Sequence, residues 1–151
     1  MGSSSVVVGT DLVQVSAVAA SMERFGMRYL ERLFTPDELA YCLREPRAAP
    51  ERLAARFAAK EATFKVLRVH EEPVPWRAIE VVRSPEGYCD LALHAEALAL
   101  ARARGLTGFC VSLTHEADYA SAVVIAERAT GATGPVVAPS PATSTTPQCH
   151  D

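Results

Sequence analysis

The alternation of apolar and polar positions predicts a first strand over Val6 to Val15, buried and interrupted by Gly9, Thr10 and Asp11. Glycine inside a strand marks close approach of another backbone or a ligand, and aspartate is depleted in strands. An amphipathic helix follows from Ala17 to Leu33, with Met22, Phe25, Tyr29 and Leu33 on one side and Arg24, Arg28 and Arg32 on the other. Thr35-Pro36-Asp37-Glu38 is a helix start: Thr35 can cap, Pro36 suits the first turn and Glu38 completes a capping box. That short helix ends near Arg44, and Pro50 opens a longer one ending around Val69.

The long helix carries Arg56-Phe57-Ala58-Ala59-Lys60-Glu61-Ala62-Thr63-Phe64-Lys65. At about 100° per residue, Leu53, Phe57 and Phe64 form a narrow core-facing band, with Glu61 roughly 40° from it. A carboxylate half-drawn into an apolar surface is costly unless a cation or metal offsets its desolvation. A plain Glu61–Lys65 pair at i,i+4 would also account for it, at about a few tenths of a kcal/mol.

Two hairpins come next. The first pairs Ala78–Arg83 with Tyr88–Leu93 across Ser84-Pro85-Glu86-Gly87, and the second pairs Phe109–Thr114 with Tyr119–Ala126. A helix over Ala95 to Arg104, stopped by Gly105, separates them. His115 ends a strand at the loop, on the face of Phe109, Val111 and Leu113, while Ser112 lies on the other. The pattern predicts an α+β domain, an antiparallel sheet with helices packed against one face.

Composition narrows the function classes. A chain of 151 residues, nearly half of them hydrophobic, holds one domain with a real core. A net charge of −3 gives no reason to expect nucleic-acid binding, and no run of 18 or more apolar residues spans a membrane. Residues 1–5 read as a polar leader or an expression scar without a signal-peptide core, residues 6–130 as the domain, and 131–151 as a Gly/Pro/Ala/Ser/Thr tail expected to be disordered. Cys42, Cys89, Cys110 and Cys149 lack zinc or disulfide spacing and read as reduced thiols of a cytoplasmic protein.

Three polar features stand out: Asp11 on the first strand, Glu61 with its cations on the long helix, and Ser112 to His115 on the last hairpin. Two carboxylates without a ligating cysteine suit a hard cation such as Mg²⁺, which shares its shell with water and phosphates. Arg56, Lys60, Lys65 and His115 suit phosphate oxygens. Spacing alone does not say that the two carboxylates meet.

Four segments carry a resemblance: Gly9-Thr10-Asp11-Leu12-Val13; Phe34-Thr35-Pro36-Asp37-Glu38; Arg56 to Ala62 with Lys65; and Val111-Ser112-Leu113-Thr114-His115-Glu116 with Tyr119-Ala120. In this order, over about Val6 to Glu127, they resemble holo-[acyl-carrier-protein] synthase, the short single-domain class of 4′-phosphopantetheinyl transferases. The resemblance implies transfer of the phosphopantetheine arm from coenzyme A to a serine of an apo acyl carrier protein, with release of adenosine 3′,5′-bisphosphate. It also implies a homotrimer with active sites between subunits. Carried over by position, Asp11 and Glu61 are Mg²⁺ ligands and Lys65 lies near the pyrophosphate, while Arg56, Lys60, Ser112 and His115 match positions lining the coenzyme A site. Glu61, or a water it orients, is the expected proton acceptor. The Arg24, Arg28 and Arg32 stripe would dock an acidic carrier.

Two departures bear on the carrier rather than the metal. Ala17 stands where many members have a basic residue, and Val66-Leu67-Arg68-Val69-His70 replaces the glycine-containing loop that commonly follows the lysine. The competing readings are a non-catalytic carrier-binding module of the same fold and a Mg²⁺-dependent hydrolase of coenzyme A-like pyrophosphates.

Overall fold

Three long antiparallel strands and one central helix carry the architecture of the computed structural model, which describes residues 4–129. In chain order the elements are β1 (Ser4–Gln14), α1 (Val15–Leu33), α2 (Pro36–Cys42), α3 (Ala49–Leu67), a 3₁₀ turn (Trp76–Ala78), β2 (Ile79–Arg83), β3 (Cys89–Leu93), α4 (Ala95–Ala103), β4 (Leu106–Glu116) and β5 (Tyr119–Ala129). β5 lies between β1 and β4 in a three-stranded sheet, and β2 pairs with β3 in a second sheet; every pairing is antiparallel. The α+β expectation holds. The expected tail, residues 131–151, lies outside the described residues. Ser4 and Ser5, assigned to the leader, are instead the first residues of β1, opposite Ala129 and Arg128.

α3 packs across the three-stranded sheet on a face of small residues. Ala54, Ala58, Ala59, Ala62 and Val66 are all fully buried. The reason is visible at Gly9, where a Cβ would come within 2.2 Å of the Ala62 carbonyl oxygen and 2.9 Å of Val66 Cγ2. Only a glycine lets the β1 backbone approach the helix this closely. The interrupted strand was read correctly as a contact point.

The aromatic band of α3 plays a different part from the one expected. Phe57 and Phe64 are half-buried and grip Trp76, stacked at 4.9 Å and edge-on at 4.9 Å respectively. Phe57 and Trp76 close a second cluster with α1 and α2 around Leu30, Phe34 and Leu53, while Phe64 packs against the sheet-side core. The sheet-facing surface belongs to the alanines instead.

β1 is not buried on both faces. Its odd-numbered residues face α3, while Val6, Val8 and Leu12 stand exposed on the outer face. Tyr119 and Val123 of β5 are exposed on the same side, since Thr10 pairs with Val123 and Gln14 with Tyr119.

The N-terminus of α1 is held from the β4–β5 turn. The Asp118 carboxylate accepts from the Ser16 amide at 2.8 Å, the Ser16 hydroxyl at 2.7 Å and Gln14 Nε2 at 2.8 Å. These bonds hold the Asp118 carboxyl below the usual aspartate range. The helix breaks at Gly26, whose φ of 65° and ψ of −164° are outside helical space. The capping box of α2 forms as expected, with Thr35 Oγ1 accepting from the Glu38 amide at 3.3 Å and Glu38 Oε2 accepting from the Thr35 amide at 2.9 Å.

Candidate active site

The contact at Gly9 sets the position of Asp11, two residues further along the same face of β1. From there the carboxylate meets α3. Lys65 Nζ donates to Asp11 Oδ1 at 2.9 Å and to the Thr10 carbonyl at 2.6 Å. Ser121 on β5 donates to the Asp11 carbonyl at 2.8 Å, which fixes the strand at this point. Glu61, one turn before Lys65, completes the group. Its carboxyl is pushed up from the ordinary glutamate range by partial burial, and further by the Asp11 charge, against the opposing pull of Lys65. Asp11, Glu61 and Lys65 are therefore one electrostatic unit, joined across 50 residues of sequence.

The repulsion that Asp11 exerts on Glu61 is one that a divalent cation between them would relieve. Among the described residues no group of three or more His, Cys, Asp or Glu side chains could hold a metal. A two-carboxylate site suits Mg²⁺, which keeps several waters and takes further oxygens from substrate phosphates. The donor set fits that ion.

Of the other residues that the resemblance assigns to the coenzyme A site, Lys60 and Arg56 lie beneath α2, and Ser112 and His115 lie on β4. Lys60 is fully buried and faces α2 and β2, with Nζ 2.8 Å from Glu38 Oε2 and also donating to the carbonyls of Trp76, at 3.2 Å, and Ile79. Burial lowers its proton affinity, against the pull of Glu38. Arg56, 4% exposed, points the same way and donates to the Arg52 carbonyl at 3.3 Å. Ser112 lies on the outer face of the sheet, opposite Val123. His115, next to the end of β4, has Nδ1 3.3 Å from Glu51 Oε1. Arg24, Arg28 and Arg32 are all exposed, but the break at Gly26 separates Arg24 from the other two, so a continuous i, i+4, i+8 stripe is not what forms.

The sequence reading missed the polar network beneath α2. Glu38 Oε1 accepts from the Val81 amide at 3.0 Å, Thr35 Oγ1 donates to Glu80 Oε1 at 2.8 Å, and His94 Nε2 lies 2.8 Å from Glu80 Oε2. The signal was present in part, since the capping box named Thr35 and Glu38. Nothing in it tied them to a lysine 22 residues further on.

The geometry so far defines a small α+β protein with an acid pair and a lysine at a strand–helix contact. Comparison with known proteins places it. Residues 7–124 match the model of the 4′-phosphopantetheinyl transferase superfamily. A holo-[acyl-carrier-protein] synthase of Desulforudis audaxviator is 46% identical over 119 residues, covering 79% of this chain and 90% of the relative. Two solved structures from Chronobacterium ammoniagenes, an apo-ACPS and an ACPS–CoA complex, superpose with TM-scores of 0.74 and 0.73 at 30% identity. They cover 84% and 83% of this chain and 99% and 98% of their own. The chain belongs to the 4′-phosphopantetheinyl transferase superfamily, in its holo-[acyl-carrier-protein] synthase class, and is an enzyme of that kind. Among the described residues no helix is long and apolar enough to cross a membrane.

Proposed function

We propose that this chain moves the 4′-phosphopantetheine arm of coenzyme A onto a serine of an apo acyl carrier protein, with Mg²⁺, releasing adenosine 3′,5′-bisphosphate. The observation that carries the reading is the convergence of Asp11, Glu61 and Lys65. Asp11 and Glu61 are the residues that would hold the ion, which supplies charge shielding for a pyrophosphate. Lys65, half-exposed and hydrogen-bonded to Asp11, would neutralise the leaving phosphate oxygen as its bond to phosphorus breaks. Glu61, or a water it orients, accepts the proton of the attacking serine.

The outer sheet face supports association of copies, three of them on the family's pattern. In such an assembly Ser112, which lies on that face, is free to meet the acid pair of a neighbouring copy. The exposed Arg24, Arg28 and Arg32 offer an acidic carrier a docking surface whose effect weakens with salt.

Incubating the protein with coenzyme A, Mg²⁺ and an apo carrier, and following carrier mass, tests the reading. A gain equal to one phosphopantetheine, absent without divalent ion, is expected. Bisphosphate release with unmodified carrier would instead indicate hydrolysis. Tight carrier binding with no chemistry would leave the non-catalytic module.

A further inference from the structure

Beyond its midpoint α3 keeps only a narrow open face. From Ala58 to Arg68 every position is buried except Glu61, Phe64, Lys65 and Arg68. Glu61 and Lys65 belong to the group around Asp11, and Arg68 continues their row just past the end of the helix. Arg68 lies three residues beyond Lys65, a rise of about 4.5 Å, which is less than the length of either side chain.

Arg68 holds a backbone conformation that ordinarily goes to glycine. It ends α3 at φ 51° and ψ 47°, in the left-handed region. Its amide donates to the Lys65 carbonyl and the Val69 amide to the Phe64 carbonyl, both at 3.1 Å. Glycine is the default at such a helix stop, and a residue with a Cβ is held there only at a cost. Ala95 and Ala117 share the positive φ, at the start of α4 and in the β4–β5 turn, but neither carries a charge.

A cation at a helix C-terminus normally serves the exposed carbonyls there. Here another residue does so: Arg104 Nη1 donates to the Arg68 carbonyl, while its Nη2 pairs with Glu72. Glu72 also accepts from the His70 amide at 3.0 Å. Among the described residues the Arg68 guanidinium takes part in no ion pair. It is an exposed charge that neither the helix end nor a carboxylate employs.

The charge of the site calls for one more cation. A divalent ion would neutralise the carboxylates of Asp11 and Glu61, leaving Lys65 as the positive charge of that group. A pyrophosphate diester carries a negative charge on each phosphate, so one is left unanswered. The departing phosphate gains a further charge as its bond breaks.

We propose that Arg68 is a substrate-binding residue of this transferase, its guanidinium pairing with the pyrophosphate oxygens of coenzyme A beside Lys65. The fork of N–H donors on arginine matches phosphate oxygens in geometry and charge. The inference rests on the function proposed above. It gives a use to the Val66–His70 segment, in which this chain departs from the glycine-containing loop of its relatives.

Calorimetric titration of coenzyme A into the full chain, with Mg²⁺ and again with a chelator, compares wild type with Arg68→Gly, Arg68→Gln and Arg68→Lys. Arg68→Gly supplies the residue that the backbone favours, so its melting temperature should equal or exceed that of wild type. Coenzyme A affinity should nevertheless weaken about tenfold in the glycine and glutamine variants, the worth of one charge-assisted hydrogen bond, and recover in part with lysine. The difference should shrink as salt is raised. Equal coenzyme A affinity in wild type and Arg68→Gly overturns the inference; if only the Michaelis constant for the carrier rises, Arg68 is a carrier contact instead. A lower melting temperature in Arg68→Gly, with no recovery of affinity in Arg68→Lys, overturns it in favour of a structural role. Carrier mass is followed in parallel. Arg68-dependent affinity without carrier modification removes the transferase reading and leaves Arg68 as a ligand of the pyrophosphate. Carrier modification with Arg68-independent affinity removes this inference alone, and a wild type that binds no coenzyme A removes both.

Discussion

Lys60 and Glu61 are adjacent in α3, and the turn of the helix sends them to opposite duties. Glu61 joins Asp11 and Lys65 at the strand, while Lys60 is locked under α2 against Glu38 with no exposed surface. A buried pair of this kind contributes little net stability when intact, but removing one partner leaves the other charge uncompensated, at a cost of about 3–5 kcal/mol. Lys60→Met is therefore expected to lower unfolding stability by about that amount in urea titrations. The Glu38→Gln/Lys60→Met pair should recover most of the loss. Unchanged stability in Lys60→Met, with coenzyme A affinity lost, would return Lys60 to the substrate site. The sequence made Glu61 legible because a carboxylate at the rim of an apolar band is conspicuous. The partner of Lys60 was not legible, because the periodicity that orients a side chain says nothing about which neighbour receives it.

At the scale of elements, the site depends on how near β1 comes to α3. Gly9→Ala would press a methyl group against the Ala62 carbonyl and Val66. Overpacking of this kind costs about 1–3 kcal/mol and displaces backbone, here the stretch that aims Asp11. The expected result is lower stability together with weaker Mg²⁺ binding, seen as a smaller rise in melting temperature on adding the ion. A second element-level device is the Asp118 clasp on α1. Because the folded state holds this carboxyl below its ordinary value of 3.8, its contribution is complete above that pH and is lost as pH falls through the lowered value. Asp118→Asn should therefore be less stable than wild type near neutral pH, and the two should converge in acid below pH 3.8. The hairpins, the capping box and the contact at Gly9 could all be read from the chain, since each rests on local turn chemistry or strand propensity. The clasp could not, because it joins residues 102 apart. Nor did the α1 pattern reveal its break: a single glycine in a helical period is tolerated, and only the φ and ψ at Gly26 show that the stripe of arginines is divided.

For the whole molecule, the outer face of the three-stranded sheet is the feature a solitary copy leaves unexplained. Leu12 is 64% exposed and Val8 55%, with Val6, Val123 and Tyr119 alongside. An isolated apolar side chain on a surface is ordinary, but a contiguous apolar face marks an interaction site. Alternation explains why the sequence reading took β1 for a buried strand: apolar residues occupy both faces, as they do when both are covered, and one chain covers only one. Association through this face would supply the other cover and would bring Ser112 of one copy toward a neighbour. Leu12→Lys places a charge in the middle of that contact, where desolvating it is costly, while leaving the α3-facing side untouched. Sedimentation should show the wild type as a trimer and the variant as a monomer with an unchanged circular dichroism spectrum. Transfer to the carrier should fall at least tenfold if the acid pair works with residues from a neighbour. A variant that sediments like wild type would exclude this face as the subunit contact. A monomer with full activity would instead show that Asp11, Glu61 and Lys65 suffice within one copy.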